Sequence, residues 1–250
     1  VMNFILNILF FIFYSSVVFS EDRIITFDDG STYEGNIVAN TMEGRGIYIS
    51  APNENGLTIK YSGEFKNNTF HGMGILSYSN GDVFEGIFVD GLRQGKGVLK
   101  FNDGVIYEGD FKEDKMEGIG KIVYDKGTEY VGKFSNNLRN GDGAMKFKDG
   151  SSYKGRFLDG LYHGEGKYTF VDGTYYKGAF VKGEREGKGE LVYLDGQKQI
   201  GEFKNGNFVG TTKIIYPDNS SQSGNFVNGK FQGEVIFISP EGIEQKQIIK

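Results

Sequence analysis

The chain has 250 residues, a formal net charge of −5 and no cysteine. The acidic balance argues against nucleic acid as a partner, and the missing thiols exclude disulfides and cysteine metal sites. Glycine is abundant at 39 residues against 3 prolines, but 22 Phe and 15 Tyr accompany it, which excludes the aromatic-poor composition of disordered chains.

Residues 2–20, MNFILNILFFIFYSSVVFS, are uncharged and mostly apolar. Val18 and Ser20 are small at the positions where a secretory signal peptide is cut. The same stretch is about the minimum length for a membrane anchor, and the third reading, behind these two, is packing on the end of the following array. The first two readings place the chain in the secretory pathway or at a membrane. A cytoplasmic or cytoskeletal location is the alternative.

From residue 24 to the end the sequence repeats every 23 residues. The glycine of a Tyr-x-Gly triplet recurs at Gly63, Gly86, Gly109, Gly132, Gly155, Gly178, Gly201 and Gly224, with an earlier copy at Gly35. The aromatic two residues later keeps step, from Phe65 and Phe88 to Phe203 and Phe226. A Gly-x-Gly follows, as in Gly118/Gly120 and Gly164/Gly166, and then a turn glycine such as Gly150 or Gly173. A period of this length marks a repeat architecture, here of about nine copies.

Within a copy the apolar period is two, the period of a strand. Tyr153, Gly155 and Phe157 share one face, and Gly164, Gly166, Tyr168 and Phe170 continue it on the next strand. Lys154, Arg156, Leu158, Glu165 and Lys167 fall on the other. Each copy is therefore predicted to be a β-hairpin buried on one side. Strand glycines leave room for close approach, and a ring from a neighbouring strand is expected to cover each gap, as in aromatic rescue. The repeat-core aromatics are Tyr107, Phe111, Tyr130, Phe134, Tyr153, Phe157, Tyr176 and Phe180. Asp103-Gly104, Asp149-Gly150, Asp172-Gly173 and Asp195-Gly196 signal short hairpin turns. The opposite turns, such as Leu158 to His163, are expected to be longer. The fold class is all-β: an elongated single-layer antiparallel sheet, roughly 85 Å long at ordinary strand spacing, twisted into a trough. The insertion around Ser50–Gly56 should bulge. The last copies decay, with Gln199 and Gln222 in the tyrosine position and Thr212 and Val235 in that of the second glycine.

These residues resemble the MORN (membrane occupation and recognition nexus) repeat. Tyr107-Glu108-Gly109-Asp110-Phe111 with Gly118-Ile119-Gly120, and the whole of Tyr153 to Tyr175, follow its pattern. The resemblance covers Tyr33 to about Val235. It implies an elongated antiparallel sheet of tandem hairpins with roles in membrane association, in cytoskeletal assemblies, or beside catalytic domains.

Catalytic groupings do not emerge. His71 and His163 are four repeats apart and hold the same place, a loop position ahead of Gly-x-Gly, so about 38 Å should separate them. The Gly-x-Gly pairs lack the helix that a phosphate loop opens. No cofactor and no metal are expected, and the chain is read as a non-enzyme. Outer-face charges flanking the triplet glycine are acidic early (Glu34, Glu64, Glu85, Glu108, Asp110) and basic later (Lys133, Lys154, Arg156, Lys177). Those four basic residues are candidate contacts for a partner protein or for anionic lipid headgroups. The leading expectation is a non-catalytic scaffold that binds a partner protein through its trough and associates with membrane. The column Tyr33, Tyr61, Phe84, Tyr107, Tyr130, Tyr153 and Tyr176 serves either as the core or as the binding rings. The alternatives are a direct anionic phospholipid-binding module and a regulatory fragment of a longer enzyme. An open sheet end is also a template for homodimer pairing.

Overall fold

A computed structural model describes residues 23–124 and 126–249. The expected leader or anchor at residues 1–20 lies outside them. The described residues form twenty strands, from β1 (Arg23–Thr26) to β20 (Glu244–Ile249), in one open antiparallel sheet. Each strand pairs with its neighbours in sequence, β1 with β2 (Thr32–Val38), β2 with β3 (Thr41–Ile49), and so on to β20. Among the described residues no helix is long and apolar enough to cross a membrane.

One repeat shows why the sequence folds this way. β12 (Ser152–Leu158) and β13 (Leu161–Thr169) form a hairpin in which Gly155 faces Gly166 and Tyr153 faces Tyr168. The register then jumps, and Arg156 faces His163. Gly164 and Glu165 are thus the extra residues of a bulge. Gly164 sits at φ +64°, and the first glycine of every Gly-x-Gly shares that left-handed backbone, from Gly44 at +69° to Gly187 at +74°. A side chain is strained there. The expected alternation holds from Gly164 to Tyr168 against the following strand, where Gly164 faces Phe180 and Gly166 faces Gly178, and only the pairing with β12 is interrupted. Tyr162 keeps its inward direction and faces Phe157.

The second glycine has a different reason. Gly132 and Gly143 face each other, and Gly143 faces Gly155 of the next hairpin, so glycines run in file across the sheet. A Cβ on Gly143 would stand 2.5 Å from Cε2 and Oη of Tyr130. The ring belongs to the same strand as Gly132, two residues earlier, and reaches over the partner strand's glycine as well. The rescuing ring comes from the neighbouring strand for Gly143, as expected from the sequence, and from the glycine's own strand for Gly132. A residue at i and its glycine at i+2 share a face, so the ring needs only to lean along its own strand.

The rings form the core. Tyr33, Tyr61, Phe84, Tyr107, Tyr130, Tyr153 and Tyr176 are essentially inaccessible, as are Phe65, Phe88, Phe111, Phe134, Phe157, Phe180 and Phe203. They touch edge to face in one file. Tyr130 meets Phe134 of its own strand at 5.2 Å and Phe157 of the next repeat at 4.9 Å, both near perpendicular. The same alternation links Tyr33 to Phe65 and Tyr176 to Phe203. Edge-to-face contact adds about 0.5–1.5 kcal/mol per pair beyond burial. A single layer therefore holds a core without a second sheet. The hydroxyls explain why most of the column is tyrosine. Tyr130 donates to the carbonyl of Lys133 (2.8 Å), Tyr153 to Arg156 (2.9 Å) and Tyr107 to Asp110 (2.9 Å). Each acceptor lies three residues on, where the bulge interrupts the ladder.

The turn lengths are the reverse of the sequence expectation. The Leu158–Leu161 connection is a two-residue turn, with Asp159 at φ +49° and Gly160 at +83°. Two positive φ values define the tight turn that suits strand twist, and Asn, Asp and Gly tolerate them. Asn67-Asn68 and Asn136-Asn137 do the same elsewhere. The Asp-Gly segments instead occupy three-residue loops. At Val171–Gly173, Phe170 N–H donates to the Thr174 carbonyl (2.8 Å), and Gly173 N–H donates back to Phe170 (3.0 Å). The Asp172 carboxylate accepts from Thr174 N–H. The inserted segment lies between β3 and β4 (Ile59–Lys66), held by Asn53, whose side-chain oxygen accepts from Asn55 and Leu57 N–H at 2.9 and 3.0 Å.

Candidate functional site

Two surfaces flank the ring file, and they differ in chemistry. Above the file lies a second column formed by the second residue of each hairpin's return strand: Met42, Phe70, Arg93, Met116, Arg139, Tyr162, Arg185 and Phe208. These side chains lie on the rings. From Met42 to Arg185, each backbone is also anchored by the next repeat's tight turn. Gly160 N–H donates to the Arg139 carbonyl and Gly183 N–H to that of Tyr162, both at 2.9 Å.

The aromatic members stack. Phe70 lies flat on Tyr61 at 3.9 Å, and Tyr162 on Tyr153 at 3.8 Å. The arginines place guanidinium groups over two rings each: Arg93 over Phe84 and Phe111, Arg139 over Tyr130 and Phe157, Arg185 over Tyr176 and Phe203, all 5.2–5.8 Å from the centroids. Desolvated contacts of this kind contribute up to about 2 kcal/mol. Arg93 also bonds Asp114 at 3.0 Å, and Arg139 donates to the Gly160 carbonyl at 2.7 Å. A further row, Tyr78, Phe101, Tyr124, Phe147, Phe170 and Tyr193, is half-buried beside them.

Together these side chains line a trough with successive hollows. One of about 470 Å³ lies against Phe27, Met42, Tyr48 and Phe70. Another, of about 380 Å³, is walled by Tyr78, Arg93, Phe101 and Met116. A third, of about 200 Å³, lies among Tyr162, Tyr168, Phe170 and Arg185. A fourth, of about 610 Å³, opens over Gln199, Phe203 and Phe208.

Burial pushes the core phenols up. The Tyr130, Tyr153 and Tyr176 hydroxyls all rise to about 12, chiefly through desolvation. Tyr61 and Tyr107 rise further for the same reason. These hydroxyls are neutral donors at any physiological pH.

The outer face carries the predicted basic residues. Lys154 faces Lys167, which faces Lys177, so three lysines lie side by side on β12, β13 and β14 (Tyr175–Val181). Lys167 also stands 3.6 Å over the Tyr175 ring. Lys133 is apart from this row: it faces Ile119, 3.9 Å from the Asp142 carboxylate. Arg156 faces that same Asp142 across the sheet, and His163 on its other side. The structure thus joins Lys154 to Lys177 through Lys167, while Lys133 and Arg156 flank an acid. His71 and His163 lie within strands, not in loops, facing Glu64 and Arg156. No cluster of His, Cys or acidic residues suited to a metal occurs among the described residues.

The sequence profile of the MORN repeat matches nine times: residues 33–53, 61–83, 84–106, 107–129, 130–152, 153–175, 176–198, 200–221 and 223–242. The chain belongs to the MORN repeat family. Its repeats build a scaffold in which the profile's tyrosines and glycines make the ring file and the glycine file beneath it. No curated protein matches the chain. Among solved structures, it is similar to the TCP10 domain of Danio rerio CPAP in complex with a peptide of Danio rerio STIL. Identity is 13%, covering 92% of this chain and 100% of that one, with a TM-score of 0.45. It is also similar to the SAS-4 (dCPAP) TCP domain of Drosophila melanogaster in complex with a proline-rich motif of Ana2 (dSTIL). Here identity is 16%, covering 71% and 85%, with a TM-score of 0.32. Overlap of that extent says nothing about what the MORN array binds.

The second column on the rings was not singled out from sequence. Its signal is present, since Arg93, Arg139 and Arg185 recur at every second repeat, two residues before Gly-x-Gly. Lys167 was placed on the outer face, but its role as the link in the lysine row depends on register.

Proposed function

We propose that this chain is a non-catalytic scaffold whose trough binds an extended segment of a partner protein. The observation that carries the proposal is the layer of half-buried Phe, Tyr and Arg lying over an already complete ring core. The tyrosine column itself is used internally, so binding falls to the layer above it. Tyr and Arg are enriched at the energetic centres of protein interfaces. Successive hollows along one trough suit alternate side chains of an extended chain better than a globular surface.

The test is photo-crosslinking. A benzophenone amino acid replaces Tyr162 in one chain and Lys167 in another, and crosslinked peptides are sequenced. Crosslinks of one partner segment from position 162 and none from 167 support the trough. The opposite pattern refutes it.

The outer lysine row favours a second reading, an anionic phospholipid surface. Like charges directly opposite one another destabilise a sheet, and Lys154, Lys167 and Lys177 are not ion-paired among the described residues. Headgroups would offset this at about 1 kcal/mol per lysine. Salt-sensitive binding to phosphatidylserine vesicles, lost on reversing those three charges, supports it. Binding that survives reversal sinks it.

A further inference from the structure

Repeat eight is where the ring file breaks. Gln199 stands in the tyrosine position and Thr212 in that of the second glycine, and they are 6% and 0% exposed. The Thr212 hydroxyl occupies the space above Gly201 that a ring fills elsewhere. Among the described residues, neither the Thr212 hydroxyl nor Nε2 of Gln199 has a hydrogen-bond partner. The Gln199 oxygen is engaged, accepting from the Tyr193 hydroxyl at 3.4 Å. An amide donor left unpaired in a buried position is costly, and natural proteins keep few of them.

The break opens the hollow of about 610 Å³, lined by Arg185, Tyr193, Gln199, Phe203 and Phe208 with the turn at Asn228-Gly229. No acidic residue lines it, and Arg185 is its one charged wall. The comparison within the molecule is informative. Arg93 and Arg139 hold the same place in their repeats and are satisfied by Asp114 and by the Gly160 carbonyl. The Arg185 guanidinium rests on Tyr176 and Phe203 without a hydrogen-bonding partner among the described residues. The polar groups left open are therefore donors, set in aromatic walls.

We propose that this hollow receives a carboxylate on a short apolar stem, the side chain of a glutamate in a peptide lying along the trough. Arg185 would take the carboxylate in a charge-assisted pair, Gln199 Nε2 would donate to it, and Phe203 and Phe208 would cover the methylenes. That a peptide bears the carboxylate rests on the trough reading above. The carboxylate site itself does not.

The test is a titration of the full isotope-labelled chain, followed by NMR at the Gln199 side-chain amide and Arg185 Nε–H. Three probes are used: N-acetyl-glutamate N-methylamide, its glutamine counterpart, and 3-phenylpropionate. Saturable shifts at both groups are expected with the glutamate probe, and binding at least about tenfold weaker with the glutamine probe, given the extra strength of a hydrogen bond to a charged group. Arg185→Met should weaken the glutamate probe similarly. Gln199→Tyr with Thr212→Gly should restore the ring, close the hollow and abolish the Arg185 Nε–H shift while raising thermal stability, which separates loss of the site from loss of fold. Equal binding of the two amino-acid probes, or binding indifferent to Arg185→Met, overturns the site. Binding of 3-phenylpropionate alone overturns the peptide as its bearer. Failure of the trough reading is seen separately, in crosslinks from position 167 but not 162.

Discussion

Replacing Gly143 by alanine isolates the principle on which the core is built. In most strands this change is favourable by about 0.5–1 kcal/mol, because glycine has the larger backbone entropy to lose. Here the new Cβ would lie 2.5 Å from two atoms of Tyr130 and 2.7 Å from a third. The ring is inaccessible and wedged edge to face between Phe134 and Phe157, so it cannot shift without breaking those contacts. Overpacking costs about 1–3 kcal/mol, and losing two edge-to-face contacts adds about 1–3 more. Set against the entropy gain, the net is a loss of about 1–5 kcal/mol. Urea unfolding followed by circular dichroism measures it. Repeat eight supplies the control, since there a glutamine and a threonine already replace this pair. Tyr130→Gln combined with Gly143→Thr should cost less than the sum of the single changes by about 1–3 kcal/mol, the range for side chains in contact. A neutral or stabilising Gly143→Ala, or strict additivity of the pair, would refute the ring-over-glycine account.

Other predictions follow from the same geometry. Gly164→Ala meets only ordinary contacts, at 3.6 Å or more, so its loss of about 1–2 kcal/mol comes from the left-handed backbone. Gly164→Asn should recover part of it, while Gly166→Asn should not, read from urea midpoints. Phe84 is the one phenylalanine in the described tyrosine column of repeats one to seven, and Phe84→Tyr should stabilise by about 0.5–1.5 kcal/mol, by offering a hydroxyl to the Ile87 carbonyl. Thermal melting checks the sign. The core phenols titrate above the ordinary value of 10.0. A phenol whose proton is held more tightly in the folded state contributes stability below the unfolded pKa and loses it as pH rises toward the folded one. Stability should thus be flat up to pH 10 and fall from there toward about 12. Tyrosinate absorbance should rise together with the loss of circular dichroism. Full ionisation of all tyrosines near pH 10 with the fold intact would contradict the burial.

The period and the alternation within it made the fold legible, because Tyr-x-Gly-x-Phe commits three residues of each copy to one face without ambiguity. What stayed hidden depends on register. Gly164 and Gly166 look alike in the sequence, yet one serves a bulge and the other a ring. The bulge inserts two residues, Gly164 and Glu165, so Tyr162 keeps the core-facing direction that alternation gives it, but its partner becomes Phe157, which the sequence does not show. Turn lengths were inverted because Asp159-Gly160 and Asp172-Gly173 read the same, and only the backbone separates two positive φ values from one. The lysine row shows the same limit. Lys154 and Lys177 are 23 residues apart in sequence, and only the strand between them reveals Lys167 as the link. Gln199 was noticed as decay of the repeat. Its meaning as an unpaired donor in a hollow needed the packing around Arg185.

The most direct test of the scaffold reading is the affinity of a purified partner, recovered by the crosslink, for two variants of the chain measured side by side by calorimetry. The first, Tyr162→Ser with Phe170→Ser, strips the trough while leaving every residue of the ring file in place, and its melting temperature is measured beside the parent's because Tyr162 stacks on Tyr153. The second reverses Lys154, Lys167 and Lys177 on the opposite face. The account predicts that the trough variant binds at least about tenfold more weakly, about 1.4 kcal/mol, while the outer-face variant binds as the parent does. Unchanged affinity in the trough variant, with loss in the other, would contradict it.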